Sequence, residues 1–146
     1  MKAFFEDIFE FHHVVNQKMI HHLIENDNQL TEKIHLLISH SLNAQQIWNA
    51  RILGGTPVEV FKISPLRDCI TFDKENYKTT LQILEEEDLK RKIAYANSKG
   101  DQFGSTVQEI LYHVGNHFTH HRGQLLAKLR SVGVEPIITD YIFYRR

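Results

Sequence analysis

The positions of the prolines constrain the fold of this chain more than any other feature. There are three, Pro57, Pro65 and Pro136, so residues 1–56 and 66–135 contain none. Proline removes a backbone hydrogen-bond donor and breaks helix interiors, whereas chains of many short strands use turn residues such as proline and glycine at short intervals. Two proline-free stretches of this length predict long helices and an all-α fold.

Apolar residues at helical spacing predict two long helices in the first stretch. Those of the first helix recur every three or four positions over residues 5–23 and stop at the polar residues 26–28, Asn-Asp-Asn. Those of the second helix continue over residues 30–52 and stop at residues 54–57, where two glycines precede a threonine and a proline. The short connection predicts that the two helices run antiparallel.

The middle of the chain predicts a long connection, a third helix and a small hairpin. Residues 54–72 carry Gly, Pro and Ser without clear periodicity, which is typical of a connection. Residues 72–88 return to helical spacing, with Asp73 as a candidate N-cap. Apolar and polar residues then alternate over residues 93–103 around a glycine-containing turn, a pattern that favours a β-hairpin.

The last helix carries the clearest boundary signals. Thr106-Val107-Gln108-Glu109 has the form of a capping box, and apolar residues follow at helical spacing as far as Gly133, with Pro136 beyond. A chain of 146 residues has the usual size of one domain. The four long helices therefore predict a single domain, residues 1–146, folded as a four-helix bundle.

Ten histidines stand out in the composition, and three of them mark one face of the last helix. His113, His117 and His121 are spaced four residues apart, so their rings form one stripe. Two imidazoles at this spacing can converge on one metal ion. Two ligands hold an ion weakly, and His40, on the buried side of the second helix, is the best candidate for a third.

These histidine patterns also have explanations that involve no metal. A single histidine near an apolar stripe, such as His40, is more often a hydrogen-bonded core or boundary residue. An H-x-x-x-H pair can also arise by chance in a histidine-rich chain. The other histidines lie off the stripe or in adjacent pairs that cannot chelate from one helix. We expect solvated or boundary positions for these: His12, His13, His21, His22, His35 and His120.

The sequence around the histidine stripe resembles the signature of the DinB/YfiT-like superfamily. Residues 110–125 read ILYHVGNHFTHHRGQL, and the last long helix of that superfamily carries H-x-x-x-H-R-G-Q. Three further features match the same superfamily: His40 followed by Trp48 in the second helix, the hairpin before the last helix, and the tail over residues 136–142. The resemblance therefore covers essentially the whole chain. It implies an up-down-down-up bundle and a homodimer. It also implies that His40, His117 and His121 bind a divalent metal ion.

The chemistry expected of such a site is that of an open metal centre. Three neutral imidazoles leave a coordination position for an anion such as hydroxide, carboxylate or thiolate. The residue after His117 is Phe118, so the glutamate of the H-E-x-x-H zinc proteases is missing and that class is excluded. The resemblance implies another chemistry, found in thiol S-transferases and a thiol-dependent isomerase, in which the metal lowers the pKa of a cofactor thiol.

The expected function is therefore metal-dependent activation of a low-molecular-weight thiol for transfer to a small-molecule substrate. Two alternatives stay open: a metal-dependent hydrolase that activates water, and a non-catalytic metal-binding stress-response protein. Zinc, nickel, iron and copper all suit three histidines with an open position.

Residues near the candidate ligands suggest supporting roles. His113 and Glu109 lie on the ligand stripe and could orient or neutralise the site, although a carboxylate at a helix start is more simply a cap. Arg122 is charged beside a buried stripe, so we expect it to pair with Asp140 in the tail. Gly123 lies in a helix interior, where glycine costs about 1 kcal/mol relative to alanine, and this predicts close approach of another element.

Charge and apolar content exclude several partners. Seventeen basic and eighteen acidic residues give a net charge of −1, which offers no excess to neutralise nucleic acid or an anionic membrane. Apolar runs are far shorter than the roughly 20 residues of a membrane-spanning helix. Acidic residues near the N-terminus argue against a secretion signal, and the single Cys69 cannot form an internal disulfide. These features predict a cytoplasmic protein.

Overall fold

Four long helices and a two-stranded hairpin make up the computed structural model, which describes residues 1–146. A turn of 3-10 helix, Asp27–Gln29, joins the first two helices. The elements are α1 (Lys2–Glu25), α2 (Glu32–Leu53), α3 (Leu66–Glu86), β1 (Lys92–Ala96), β2 (Gln102–Thr106), α4 (Val107–Ser131) and a short α5 (Tyr141–Tyr144). The predicted all-α bundle with a small hairpin before its last long helix is confirmed.

The four long helices run up, down, down and up in chain order. Helix α1 is antiparallel to α3 and parallel to α4, and α2 is parallel to α3 and antiparallel to α4. The long connection between α2 and α3 allows these two consecutive helices to be parallel. Two contacts at each interface establish these directions. They are Lys2–Glu85 and Gln17–Ile70 between α1 and α3, and Leu42–Asn76 and Asn49–Thr80 between α2 and α3. Those between α2 and α4 are His40–His121 and Trp48–His113, and those between α1 and α4 are Ile8–Gly115 and Asn16–Arg122.

The order of the helices around the bundle is α1, α3, α2, α4. Helices α1 and α2, which are consecutive in sequence, are therefore antiparallel but lie across a diagonal and pack mainly against other helices. Inside the ring is one cluster of 24 buried apolar residues, to which all four long helices and the hairpin contribute. The largest fully buried side chains include Phe9, Ile20, Leu23, Ile34, Leu42, Ile83, Leu84, Leu111 and Leu129.

The predicted helix ends and hairpin are confirmed by the local geometry. Gly54 and Gly133 have φ angles of 72° and 77°, in the left-handed region where only glycine is unstrained, and each follows the end of a long helix. Thr106 and Glu109 form a capping box at the start of α4. Strands β1 and β2 are antiparallel and pair Lys92 with Thr106 at one end of the hairpin.

The start of the third helix differs from the prediction. Helix α3 begins at Leu66, six residues before the expected start, and Asp73 lies buried inside it instead of capping it. Three of the buried positions on α3 are polar: Asp73, Asn76 and Thr80. Because these positions normally hold apolar residues, the helical period could not be seen in the apolar pattern alone.

The close approach expected at Gly123 is found elsewhere on α4. A Cβ atom added at Gly123 would meet nothing within 4 Å, so no element packs against that glycine. A Cβ atom added at Gly115 would lie 3.5 Å from Nε2 of His12 and 3.7 Å from Ile8. Helix α1 therefore approaches α4 at Gly115. None of the helices combines the length and apolar character needed to cross a bilayer.

Candidate metal centre

Three histidines predicted to bind metal lie side by side where α2 packs against α4. His117 and His121 are one turn apart on α4, and His40 faces them from α2. One nitrogen from each ring lies within 4.8 Å of the corresponding nitrogens of the other two. The ring centroids are 4.3 to 5.0 Å apart, and all three side chains are half-buried. We call this group the three-histidine cluster.

Neighbouring oxygen atoms fix which nitrogen of two rings is free to bind a metal. Nδ1 of His40 lies 3.2 Å from the backbone oxygen of Val60, and Nδ1 of His121 lies 2.8 Å from Oε1 of Gln124. Both oxygens only accept hydrogen bonds, so Nδ1 carries the proton in each ring. The lone pair is then on Nε2, and a hydrogen bond at the opposite nitrogen is the usual way that proteins orient metal-binding histidines.

The spacing and type of these donors fit a transition-metal ion. The Nε2 atoms of His117 and His121 are 3.1 Å apart. Two nitrogen ligands about 2.0 to 2.1 Å from a tetrahedral ion lie about 3.4 Å from each other, which is close to the observed separation. Imidazole suits zinc, copper, iron and nickel, whereas magnesium and calcium prefer oxygen donors. The donor set therefore fits the divalent ions predicted from sequence.

The environment of the two α4 histidines of the cluster favours their neutral form. Burial, and to a lesser extent the neighbouring His121 and His40, which would add like charge, lower the pKa of His117 to about 3. Burial also lowers the pKa values of His121 and His113. A metal ion binds only the neutral imidazole, so the protonation state that α4 imposes on these rings is the one that a metal requires.

The connection between α2 and α3 forms one wall of the cluster. The ring of Phe61 stacks on that of His40, with centroids 5.2 Å apart and planes 15° from parallel, although Phe61 itself is largely exposed. The buried amide of Asn43 donates to the backbone oxygens of Val60 and Lys62 and so holds this segment in place. The connection therefore has a fixed position beside the cluster.

Aromatic side chains next to His117 form a second wall. His113 lies next to His117, with ring centroids 5.8 Å apart, and the edge of Trp48 contacts His113. Tyr95 from β1 packs against Trp48, and the guanidinium of Arg51 lies 4.4 Å from the centre of the Trp48 ring. Aromatic side chains thus lie next to the cluster at His40, through Phe61, and next to His117, through His113 and Trp48.

Glu109 does not support the cluster. Its carboxylate accepts hydrogen bonds from the backbone nitrogen and the hydroxyl of Thr106, at 2.7 and 2.8 Å, and it is exposed. These contacts lower its pKa. Glu109 precedes His117 by eight residues, which is about 12 Å along a helix. It is a helix cap, the simpler of the two roles considered above. His113 is adjacent to the cluster but makes no hydrogen bond to it.

The expected ion pair between Arg122 and Asp140 is not formed. The side chain of Arg122 reaches the neighbouring helix α1, where it donates to Nδ1 of His12 and to Oδ1 of Asn16, each at 3.1 Å. Asp140 instead immediately precedes α5. His12, for which we expected a solvated or boundary position, is only 3% exposed because this interface encloses it.

A buried polar network continues from Arg122 to α3. Asn16 donates to Oδ1 of Asp73 at 2.8 Å, while His13 and Gln17 contact Oδ2 of Asp73 at 2.6 and 2.8 Å. The buried carboxylate is therefore hydrogen-bonded by three side chains of α1. No sequence pattern predicted this network, because its members come from helices whose pairing cannot be read from periodicity.

Two contacts of the cluster were also absent from the sequence prediction. Gln124 follows His121 by three residues on one helix and belongs to the quoted motif, so its spacing was a usable signal. The carbonyl of Val60 had no signal, because any residue offers a backbone oxygen. Its role depends on the path of the connection, which is a property of the fold.

Comparison with known proteins adds one family and one relative. The family profile described as DinB family matches residues 21–146, a range that includes all three histidines of the cluster. Protein DinB of Bacillus subtilis (strain 168) is 35% identical over 86 residues, which is 59% of this chain and 49% of that protein. The matched region thus spans about half the length of the curated relative.

Proposed function

The chain belongs to the DinB family, and from that premise we propose that it binds a divalent transition metal and uses it to activate a low-molecular-weight thiol. The observation that carries this proposal is the three-histidine cluster. It offers three imidazole nitrogens within 4.8 Å of one another, with no carboxylate or thiolate among them. Such a donor set leaves an ion with its positive charge and at least one free position.

A divalent ion held by His40, His117 and His121 would act as a Lewis acid and lower the pKa of a thiol or water molecule that reaches it. The chain itself supplies orientation. The carbonyl of Val60 and the amide oxygen of Gln124 hold two of the rings by Nδ1. The ring of Phe61 and that of Trp48 would shield the site from water and contact the apolar part of a substrate.

The absence of a general base favours a thiol over water. No carboxylate hydrogen-bonds to the three histidines, and Glu109 is engaged at the helix cap. Metalloproteases of the H-E-x-x-H type use a glutamate as base to activate water. A thiol has an ordinary pKa of about 8.5, so a modest lowering suffices to ionise it at neutral pH.

The proposed reaction is transfer of the thiol sulfur to an electrophilic carbon. The ionised sulfur attacks the carbon, a carbon–sulfur bond forms, and the leaving group departs with the electrons of its bond to that carbon. The thiol proton passes to solvent, so no oxidant or reductant is needed. The substrate would be a small electrophile able to fit between Phe61 and Trp48.

Metal analysis tests the first half of the proposal. Purified wild-type protein and the variants His40→Ala, His117→Ala and His121→Ala would be loaded with zinc or nickel, desalted and analysed for bound metal. We expect about one ion per chain in the wild type and a loss in all three variants. His120→Ala is the matched control, because His120 is exposed and adjacent to His121. Full metal content in the three variants would exclude this site.

Activity with thiols tests the second half. Glutathione, cysteine, coenzyme A and 2-mercaptoethanol would be incubated with 1-chloro-2,4-dinitrobenzene and metal-loaded protein, with His121→Ala as the blank. We expect product formation above the blank for at least one thiol, and a thiol-dependent change in the absorption of cobalt-loaded protein. If neither occurs, thiol activation is wrong. Ester hydrolysis above the blank would then favour a hydrolase, and no activity would favour a metal-binding protein without catalysis.

A further inference from the structure

A groove between α1 and α4 lies apart from the three-histidine cluster and shares none of its residues. It has a volume of about 320 Å³, and apolar side chains including Phe4, Ile8, Phe11 and Leu111 form most of its wall. No acidic or basic side chain other than His12 lines it. A volume of this size lies at the lower end of the range for small-molecule sites, which are mostly apolar with few polar groups.

The ring of His12 is one of the polar groups of this groove, together with Asn116 and Thr119, whose side chains donate to backbone oxygens of α4. Its Nδ1 atom lies 3.1 Å from Nη2 of Arg122, and a guanidinium only donates hydrogen bonds, so Nδ1 is the acceptor. The proton of the neutral ring is therefore on Nε2. Burial and the charge of Arg122 lower the pKa of His12 to about 3, which agrees with a neutral ring.

The Nε2 atom of His12 faces the groove beside Gly115. It would lie 3.5 Å from a Cβ atom at position 115, and because that residue is glycine no side chain covers it there. His12 is 97% buried, since 3% of it is exposed. Every fully buried side-chain nitrogen and oxygen of the protein has a hydrogen-bonding partner. Nε2 has none within the protein, so it keeps a small opening to the groove.

These features define what the groove can bind. A recessed donor without a partner favours a ligand that brings a hydrogen-bond acceptor, because an unpaired donor costs about 1 to 3 kcal/mol. The groove has no cation at its surface, so a buried carboxylate would stay uncompensated there. An acceptor on an uncharged, mainly apolar molecule satisfies both conditions.

We propose that the groove between α1 and α4 binds an uncharged, largely apolar small molecule whose carbonyl oxygen accepts a hydrogen bond from Nε2 of His12. A flat protein surface would cover the exposed rings of Phe4 and Tyr112 but would not reach a donor recessed at this depth. A small carbonyl group at the end of an aromatic or alkyl body would reach it. Gly115 is the residue that leaves the donor accessible.

Three naphthalene derivatives serve as probes. The first, 2-acetylnaphthalene, carries the carbonyl group. The second, 2-isopropylnaphthalene, has a methyl group in place of the carbonyl oxygen, and the third, 2-naphthoate, carries a negative charge. Binding would be followed by amide chemical shifts of α1 and α4 in titrations of the isotope-labelled full chain. We expect saturable binding of the ketone, with shifts centred on His12 and Gly115, and affinity about 3- to 10-fold higher than for the hydrocarbon or the naphthoate.

Two variants test the donor itself. Gly115→Ala places a methyl group at ordinary contact distance from Nε2, and we expect it to remove the preference for the ketone while the fold is kept. Gly123→Ala makes the same helix-stabilising change where nothing lies within 4 Å, so it should bind like the wild type. His12→Asn keeps an acceptor for Arg122 but lacks the Nε2 donor, and should also lose the preference.

Other outcomes would overturn the proposal. Equal affinity for ketone and hydrocarbon, or an unchanged preference in Gly115→Ala, would show that Nε2 takes no part. Absence of saturable binding would show that the groove is closed. If sedimentation shows a concentration-dependent dimer and dimer formation shifts the same amides, a second copy of the chain covers the groove. His121→Ala should bind the ketone normally, so this test is independent of the metal site.

Discussion

Arg122 on α4 and His12 on α1 are in direct contact inside the bundle, with Nη2 of the guanidinium 3.1 Å from Nδ1 of the imidazole. Both side chains are at least nine-tenths buried. Burial lowers the pKa of Arg122 to about 10, while nearby Asp73 opposes that change. The charged member of the pair is therefore Arg122, and His12 acts as its uncharged acceptor. This contact joins two helices that otherwise touch sparingly along a groove.

The neutral state of His12 predicts a loss of stability in acid. Its pKa is lowered from about 6.5 to about 3 in the folded protein, so below pH 6.5 the unfolded chain binds a proton that the folded chain does not. Stability contributed by the neutral ring is present above pH 6.5 and is lost as pH falls towards 3. We expect His12 to account for a loss of about 2 kcal/mol between pH 7 and pH 5.

Urea unfolding in the presence of a chelator at several pH values measures this effect. His12→Asn retains an acceptor for Arg122 but does not titrate, so its stability should depend less on pH over the same interval. If wild type and variant lose the same free energy of unfolding between pH 7 and pH 5, His12 is not the group responsible.

Replacement of Arg122 should destabilise the protein even though it touches no predicted ligand nitrogen. Arg122→Met leaves Nδ1 of His12 and Oδ1 of Asn16 without their donor, and two unpaired buried acceptors predict a loss of about 2 to 4 kcal/mol. Asp140→Asn is the control and should change stability by less than about 0.5 kcal/mol. If the two changes lower the free energy of unfolding equally, the result would favour the ion pair between Arg122 and Asp140 that was expected from sequence.

Metal binding should stabilise the fold because its candidate ligands lie on two helices. At a free metal concentration a hundred times the Kd, the gain is about 2.7 kcal/mol, which is visible as a rise in Tm. A chelator should remove this gain in the wild type and in His120→Ala but have no effect on His117→Ala. Thermal unfolding with and without added zinc measures it, and a zinc-dependent rise in His117→Ala would contradict the assignment.

Protons should compete with metal for the three-histidine cluster, but only in acid. Only the neutral imidazole binds metal, and burial lowers the pKa values of His117 and His121, so their lone pairs remain free below the ordinary histidine range. We expect nearly constant affinity through the ordinary histidine range near pH 6.5 and a progressive fall only at lower pH. Competition titrations with a metal indicator measure this. Stoichiometric metal at pH 3 under exchange conditions would mean that carboxylates hold the ion.

The capping role of Glu109 can be separated from a role at the metal. Thr106→Ala removes the side-chain half of the capping box and should cost about 1 kcal/mol of stability. Glu109→Ala should also destabilise the protein but leave metal affinity unchanged. A decrease of tenfold or more in metal affinity for Glu109→Ala alone would show that this carboxylate does support the site.

The parts of the fold that local chemistry determines could be predicted from sequence. Gly54, Gly133 and the Thr106 capping box end or begin helices through contacts within a few residues. The i, i+4 spacing of His117 and His121 likewise places both rings on one face whatever the rest of the chain does. Such features depend on the backbone of a single helix, which is why periodicity and boundary residues were sufficient.

The features that were wrong or absent depend on which helices pack together. The partner of Arg122 proved to be His12, 110 residues away, because α1 and not the tail lies opposite that face of α4. The start of α3 was hidden because Asp73 is buried and polar, and its partners are side chains of α1. Neither fact can be read from one helix, since both require the order of helices around the bundle.

The order of the helices around the bundle also affects how the chain folds. Of the four pairs of neighbouring helices, only α2 and α3 are consecutive in sequence, and they are parallel, so no two consecutive helices form an antiparallel hairpin that could assemble by itself. The remaining pairs bring together segments separated by at least one intervening helix. A high relative contact order for a helical protein follows, and folding should be slower and more cooperative than in an up-down-up-down bundle of equal length.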